Sequence, residues 1–226
     1  MVAKDQRQPA GEFATSERRG RGRPQQRSDE ETRAVIYEAA RHEFAARGFA
    51  AANIADVASR AGVSTKTLYR LVPNKMELFE GMVNDRLDRF VSTVNLGACD
   101  GSDIATALQK ALMVCAELVL DGEVIALQSM ILADSDKFPV VAKTFYKNAM
   151  QRTLGALAAW LRIQQKRGRI ALDDVDGAAG MLLGMLVFQP QRDVMYGHKP
   201  PPSHDALEAR AKACATLFLN GCAVSS

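Results

Sequence analysis

From Ser28 onward, apolar residues recur at intervals of three and four, with no run of alternating β-branched residues, so the pattern predicts an all-α chain. Ile36, Ala40 and Phe44 make the first stripe. Ser28 with Glu31 has capping-box spacing and Gly48 stands where a left-handed cap would close the helix, giving a first helix over 29–47. Asn53 can cap a second helix over 54–61 and Ser64 a third over 65–72, with Gly62 in the turn between them. Pro73 ends the third, and Asn74 with Glu77 opens a longer fourth to about 95. Beyond a linker over 96–102, helical patterns run over 103–120, 123–133, 139–166, 174–195 and 206–221. Pro190 should kink or end the fourth of these, and the run Pro200, Pro201, Pro202 makes a stiff connector. No internal repeat is visible.

With 226 residues, 47% hydrophobic and 24% charged, the composition fits a globular protein of one or two domains and excludes disorder or a fibrous repeat. The longest near-continuous apolar stretch, 178–188, is shorter than the ~20 residues of a membrane-spanning helix, and the N-terminus has no apolar signal core, so a cytoplasmic protein without a membrane partner is expected. Cys99, Cys115, Cys214 and Cys222 form no C-x-x-C pair; they read as reduced thiols packed as small hydrophobes, with redox sensing as the alternative.

Charge changes the picture. Residues 1–75 carry 14 Lys/Arg against 9 Asp/Glu, whereas 76–226 carry 15 against 17, so the positive excess lies in the first third, where a polyanion would bind. The segment 16–27, SERRGRGRPQQR, holds five Arg and nothing apolar to bury, and reads as a disordered basic arm over 1–27. Its Arg21-Gly22-Arg23-Pro24 core resembles an AT-hook, in which Arg21 and Arg23 would lie in a minor groove; a merely solubilising tail is the alternative.

The stretch 54–72, IADVASRAGVSTKTLYRLV, has the spacing of a helix-turn-helix. Ala58 is small where the helices cross, Gly62 allows the turn, and Val57, Ala61, Val63 and Leu68 pack inside. That leaves Ser64, Thr65, Lys66, Thr67, Tyr69 and Arg70 as the polar, cationic face of a recognition helix; an ordinary hairpin with a solvated face is the alternative.

The surrounding block 36–78 resembles the DNA-binding domain of the TetR (tetracycline-repressor) family of bacterial regulators. The matching features are Ala39-Ala40 and Phe44, Gly48-Phe49, Val57-Ala58, Ala61-Gly62-Val63-Ser64, Thr67-Leu68-Tyr69, and Asn74-Lys75 with Leu78. The resemblance implies a DNA-binding domain over 28–75 and a regulatory, dimerising domain over 76–226. It also implies that Thr65, Lys66, Thr67 and Tyr69 meet the major groove and Lys75 a phosphate; Asn53 is a further phosphate candidate. The chain departs from the family at Ala52-Asn53, where paired hydroxyls are usual, and at Leu71-Val72, where aromatics are usual, so its operator is its own.

In the second unit, Gly177, Gly180 and Gly184 give the helix over 174–195 a small face, and Leu207, Ala211, Cys214, Ala215, Phe218 and Cys222 give the last helix a narrow seam. Gly180, Gly184, Leu207, Ala211, Cys214 and Phe218 are therefore expected at a homodimer interface, with intramolecular core as the alternative. A dimer would carry two heads for half-sites roughly 34–36 Å apart on a near-palindromic, double-stranded operator. The resemblance further implies an inducer pocket. Met113, Cys115, Met130, Phe145, Met150, Trp160 and Met181 are its candidates, for a small apolar or amphipathic ligand, with plain core packing as the alternative.

The histidines, His42, His198 and His204, form no metal or catalytic motif, and no phosphate-binding glycine loop appears, so no cofactor, metal or catalytic residue is expected. The leading reading is a dimeric repressor released from its operator by a ligand. An activator, an architectural DNA-binding protein without inducer, or a helical enzyme with a vestigial helix-turn-helix are the rivals.

Overall fold

The computed structural model describes residues 27–97 and 101–222. Arg21, Arg23 and most of the basic arm lie outside these residues, as does Cys99. The described chain is all-helical: α1 Asp29–Ala51, α2 Ile54–Ala61, α3 Thr65–Leu71, α4 Lys75–Gly97, α5 Ile104–Val119, α6 Gly122–Ala133, α7 Pro139–Phe145, a π-helical turn Tyr146–Gln151, α8 Arg152–Lys166, α9 Val175–Met195 and α10 His204–Cys222.

The expected caps are present. Ser28 and Glu31 close both halves of their capping box on α1, and the Asn53 and Ser64 side chains accept from Ala55 and Thr67 N–H groups. Gly48, at φ 73°, ends the long helical run at the expected 47, and a short further turn carries the chain on to Ala51. The region 139–166 is helical from end to end, right-handed across both junctions at Phe145–Tyr146 and Gln151–Arg152, but Tyr146–Gln151 winds as a wider π turn, which leaves no signature in the order of apolar residues.

Pro190 neither ends nor breaks α9, which continues to Met195. A proline there removes the N–H that would meet the Leu186 carbonyl. Arg210 of α10 replaces it, with Nε donating to the Leu186 carbonyl at 2.5 Å and Nη2 to the Met185 carbonyl at 2.6 Å.

One continuous core runs through the described residues. Around the end of α1, Phe44, Phe49 and Phe79 of α4 meet pairwise with ring centroids 5.6–5.8 Å apart, and Phe138, just before α7, joins Phe49 at 5.6 Å. Such pairs contribute about 0.5–1.5 kcal/mol each beyond the area they bury. Met130 of α6 lies against Gly48. Behind it, Tyr37 of α1 covers Gly81 of α4 so closely that a Cβ there would fall 2.4 Å from the tyrosine hydroxyl. The helix against which α2 and α3 pack, α1, is thus held by α4, α6 and the approach to α7.

Candidate nucleic-acid interface and ligand cavity

The turn between α2 and α3 is fixed by Gly62, left-handed at φ 67°, and by the Val63 N–H donating to the Ala58 carbonyl at 3.0 Å. Val57, Ala58 and Leu68 are buried beneath it, so the opposite side of α3 is presented outward. Thr65, Lys66, Tyr69 and Arg70 are exposed there, Tyr69 by 50%; Thr67 is half-buried, its hydroxyl 2.8 Å from that of Ser64.

An open groove runs between the start of α2, α3 and the start of α4, and Asn53, Thr65, Tyr69 and Lys75 share its walls. Ser64, Lys66, Thr67 and Arg70 lie outside it. Two of the cations are already engaged. Arg70 makes a two-pronged contact with Asp29 at 2.7 and 2.8 Å, and that hydrogen-bonded guanidinium holds the Asp29 carboxyl below its ordinary range. The Lys75 ammonium donates to the carbonyls of Ala50 at 3.0 Å and Ala52 at 2.6 Å and sits 5.3 Å from the Phe49 ring centre. Burial lowers its pKa, against the pull of Glu43. Lys75 thus fastens α4 to the end of α1, a partnership that spacing along the chain does not show. Lys66 makes no ion pair among the described residues, so it is the free cation of α3.

Farther from α3, a cavity of about 330 Å³ opens among α4, the end of α5, α6, the end of α7, the π turn, α8 and α9, with Arg41 of α1 at its edge. Its size is at the lower end for small-molecule sites. The body is apolar, with Met82, Val83, Leu127, Phe145, Leu154, Leu183 and Val187 on its walls; the π turn contributes Tyr146, Ala149 and Met150. Of the expected pocket residues, Phe145 and Met150 line it. Cys115 and Trp160 are instead fully buried in the core, where burial pushes the Cys115 thiol up to about 12. Met113 packs against that core, Met130 faces Gly48, and Met181 is 71% exposed. Helical spacing marks such residues as inward or outward but does not separate a packed interior from a hollow one.

The polar part of the wall was missed. Arg41, Arg86, Glu123, Gln128, Gln151 and Gln191 all border the cavity, and Gln191 donates to Gln128 at 2.9 Å. The signal was there for Arg86, which interrupts the apolar stripe Phe79, Met82, Val83, Leu87, Phe90 of α4. Arg41 pairs with Glu38 of its own helix and with Glu123 of α6; His42 Nδ1 lies 2.6 Å from the other Glu123 oxygen. Arg86 Nη2 lies 3.4 Å from Asp121, whose other oxygen accepts from the Glu123 and Val124 N–H groups and caps α6.

The expected dimer residues divide. Leu207, Ala211 and Cys214 are buried within this chain, on the face of α10 that packs against α5, and Phe218 is half-buried. The narrow seam is therefore the inward side. Gly180 and Gly184 are exposed and border the cavity mouth. Facing outward are Met181, Met185 and Phe188 of α9 and Leu217 of α10, the last 66% exposed. Among the described residues no His/Cys/Asp/Glu group could hold a metal, and no helix is long and apolar enough to cross a membrane.

Comparison with known proteins agrees with this geometry. Residues 36–82 match the model of the bacterial regulatory proteins of the tetR family, and residues 106–221, just over half of the chain, match that of the AefR-like transcriptional repressor C-terminal domain. A TetR-family transcriptional regulator from Mesorhizobium loti superposes with a TM-score of 0.74 over 88% of this chain and 100% of that one, at 25% identity. FadR from Bacillus subtilis, solved in complex with stearoyl-CoA, shares the fold at a TM-score of 0.66 and 19% identity, over 83% of this chain and 98% of its own. The HTH-type transcriptional activator FasR of Mycolicibacterium smegmatis is 37% identical over 87 residues, 35% of this chain and 40% of the length of that curated relative.

Proposed function

Because the chain belongs to the TetR family of DNA-binding transcriptional regulators, a non-enzymatic family, we propose that it is a dimeric cytoplasmic repressor released from a near-palindromic operator by a small amphipathic ligand. The observation that carries this reading is the double duty of α4. Its first residue, Lys75, fastens the groove beside the recognition helix, and Met82, Val83, Arg86 and Leu87 farther along form a wall of the cavity. A ligand that prefers a shifted α4 then prefers a different placement of α3, and this differential affinity is what moves the equilibrium away from DNA. In the dimer, Met181, Phe188 and Leu217 bury against a second copy and set the spacing of the two heads. Thr65, Lys66, Thr67 and Tyr69 read and position DNA, with Asn53 and the α2 N-terminus at a phosphate.

Repression is favoured over activation because the repressor-type C-terminal match spans most of the regulatory region, whereas FasR is matched over a minor part of its length. The test is a gel shift on DNA from upstream of the chain's own gene, with excess nonspecific competitor, paired with a reporter in cells with and without the gene. A discrete, competitor-resistant complex and derepression on deletion are expected. Loss of transcription on deletion would make it an activator, and a shift erased by competitor would leave only architectural binding.

A further inference from the structure

The two guanidiniums at the polar end of the cavity are unequally satisfied. Arg41 donates to both Glu38 oxygens and to Glu123. Glu123 in turn has Arg41 on one oxygen and His42 on the other, so both of its oxygens are already engaged. Arg86 has a single contact among the described residues, at 3.4 Å, with an Asp121 carboxylate whose other oxygen is committed to capping α6. A guanidinium offers five donors, and that of Arg86, its side chain 25% exposed beside an apolar wall, keeps most of them open toward the cavity and solvent instead of locking them into an ion-pair network as Arg41 does.

Resting on the cavity reading above, we infer that the effector is a short amphipathic anion whose head group takes Arg86 in place of Asp121. A carboxylate or phosphate can accept two parallel N–H bonds from the guanidinium, which Asp121 at its present distance does not. A cationic head would face both arginines and find Glu123 occupied. An apolar tail fills the remaining space: about 330 Å³ accommodates on the order of ten non-hydrogen atoms at ~30 Å³ each. The consequence is regulatory. Arg86 to Asp121 is a tie between α4 and the start of α6, and α6 packs on α1, so the head group loosens α4 from the element that holds the DNA-binding helices.

The test is calorimetric titration of the full chain with octanoate, octyl phosphate, octan-1-ol and octylamine, repeated on Arg86→Gln and Asp121→Asn. Octanoate or octyl phosphate is expected to bind at least tenfold tighter than octanol, and whichever of the two is tighter identifies the head. Arg86→Gln should remove that preference, bringing octanoate and octyl phosphate to within about twofold of octanol, while an unchanged melting temperature shows that the variant is folded. Asp121→Asn, which keeps an N-cap for α6 but frees Arg86, should tighten anion binding severalfold. If octanol binds as well as octanoate and Arg86→Gln changes neither, the anion inference is overturned and the cavity reading stands. If none of the four probes binds, both fall.

Discussion

Lys75 and Lys66 lie at the same end of the molecule, beside and on α3, and their surroundings give them different tasks. The Lys75 ammonium satisfies two backbone carbonyls left open where α1 ends, whereas Lys66 projects from α3 without an ion pair. Lys75→Ala leaves the Ala50 and Ala52 carbonyls without their donor, a loss of about 1–3 kcal/mol, and loosens the start of α4. The expected outcome is a lower melting temperature together with weaker binding to all DNA sequences alike. Lys66→Ala should keep stability within about 0.5 kcal/mol, as exposed substitutions do, and change the ranking of operator variants. Thermal unfolding and gel shifts on a small operator panel check both; a Lys75→Ala protein with unchanged stability would return Lys75 to a simple phosphate contact. In the sequence, Lys66 is an exposed cation of the recognition helix and Lys75 a phosphate contact that the family resemblance implies. What separates them is the approach of Lys75 to residues 25 and 23 positions earlier in the chain, and such a contact exists only once α1 and α4 have packed.

At the scale of elements, Pro190 and Arg210 form a unit. The proline withholds a hydrogen bond inside α9 that Arg210 of α10 supplies, so two helices are joined through a defect in one of them. Arg210→Ala strands the carbonyl of fully buried Leu186, and urea unfolding should register a loss of about 1–3 kcal/mol. In a Pro190→Ala background the restored N–H can reach that carbonyl, and the same arginine change should cost much less. The expected coupling is about 0.5–3 kcal/mol; strictly additive effects would mean that Arg210 is not the substitute donor. Elements marked by caps were legible to the residue: α2 ends where Asn53 and Gly62 place its ends, and α3 stops one residue before the expected 72. Elements shaped by partners were not. The path of α9 through Pro190 depends on a guanidinium from α10, the π turn has no marker residue, and the cavity is a space left between eight elements.

On the scale of the whole molecule, the same distinction decides which face of α10 can meet a second copy. An apolar seam at intervals of three and four says that one side of a helix is covered, not by what; here α5 covers it, and Leu207, Ala211 and Cys214 are spent on the chain's own core. What is left for a partner is the other side. Met181, Met185 and Phe188 follow one another at four and three residues on α9, and together with Leu217 they expose more apolar side chain than a lone helix pair keeps in water without a purpose. A two-fold contact there is self-complementary, so one charge inserted in it is placed against its own copy and counts twice. Phe188→Glu should therefore give a folded monomer by sedimentation, since the side chain is already 55% exposed and the Arg192 guanidinium stacked 4.1 Å from its ring centre can pair with the new carboxylate within the same helix. Leu132→Glu, at an equally exposed site on α6, should remain dimeric. The monomer keeps an intact α3 and still binds a half-site, but the two heads no longer bind as one body, and operator affinity should fall by a factor of ~10²–10⁴, the gain that linked binding confers. A Phe188→Glu protein that sediments as a dimer would move the interface off α9 and with it the link between cavity mouth and head spacing.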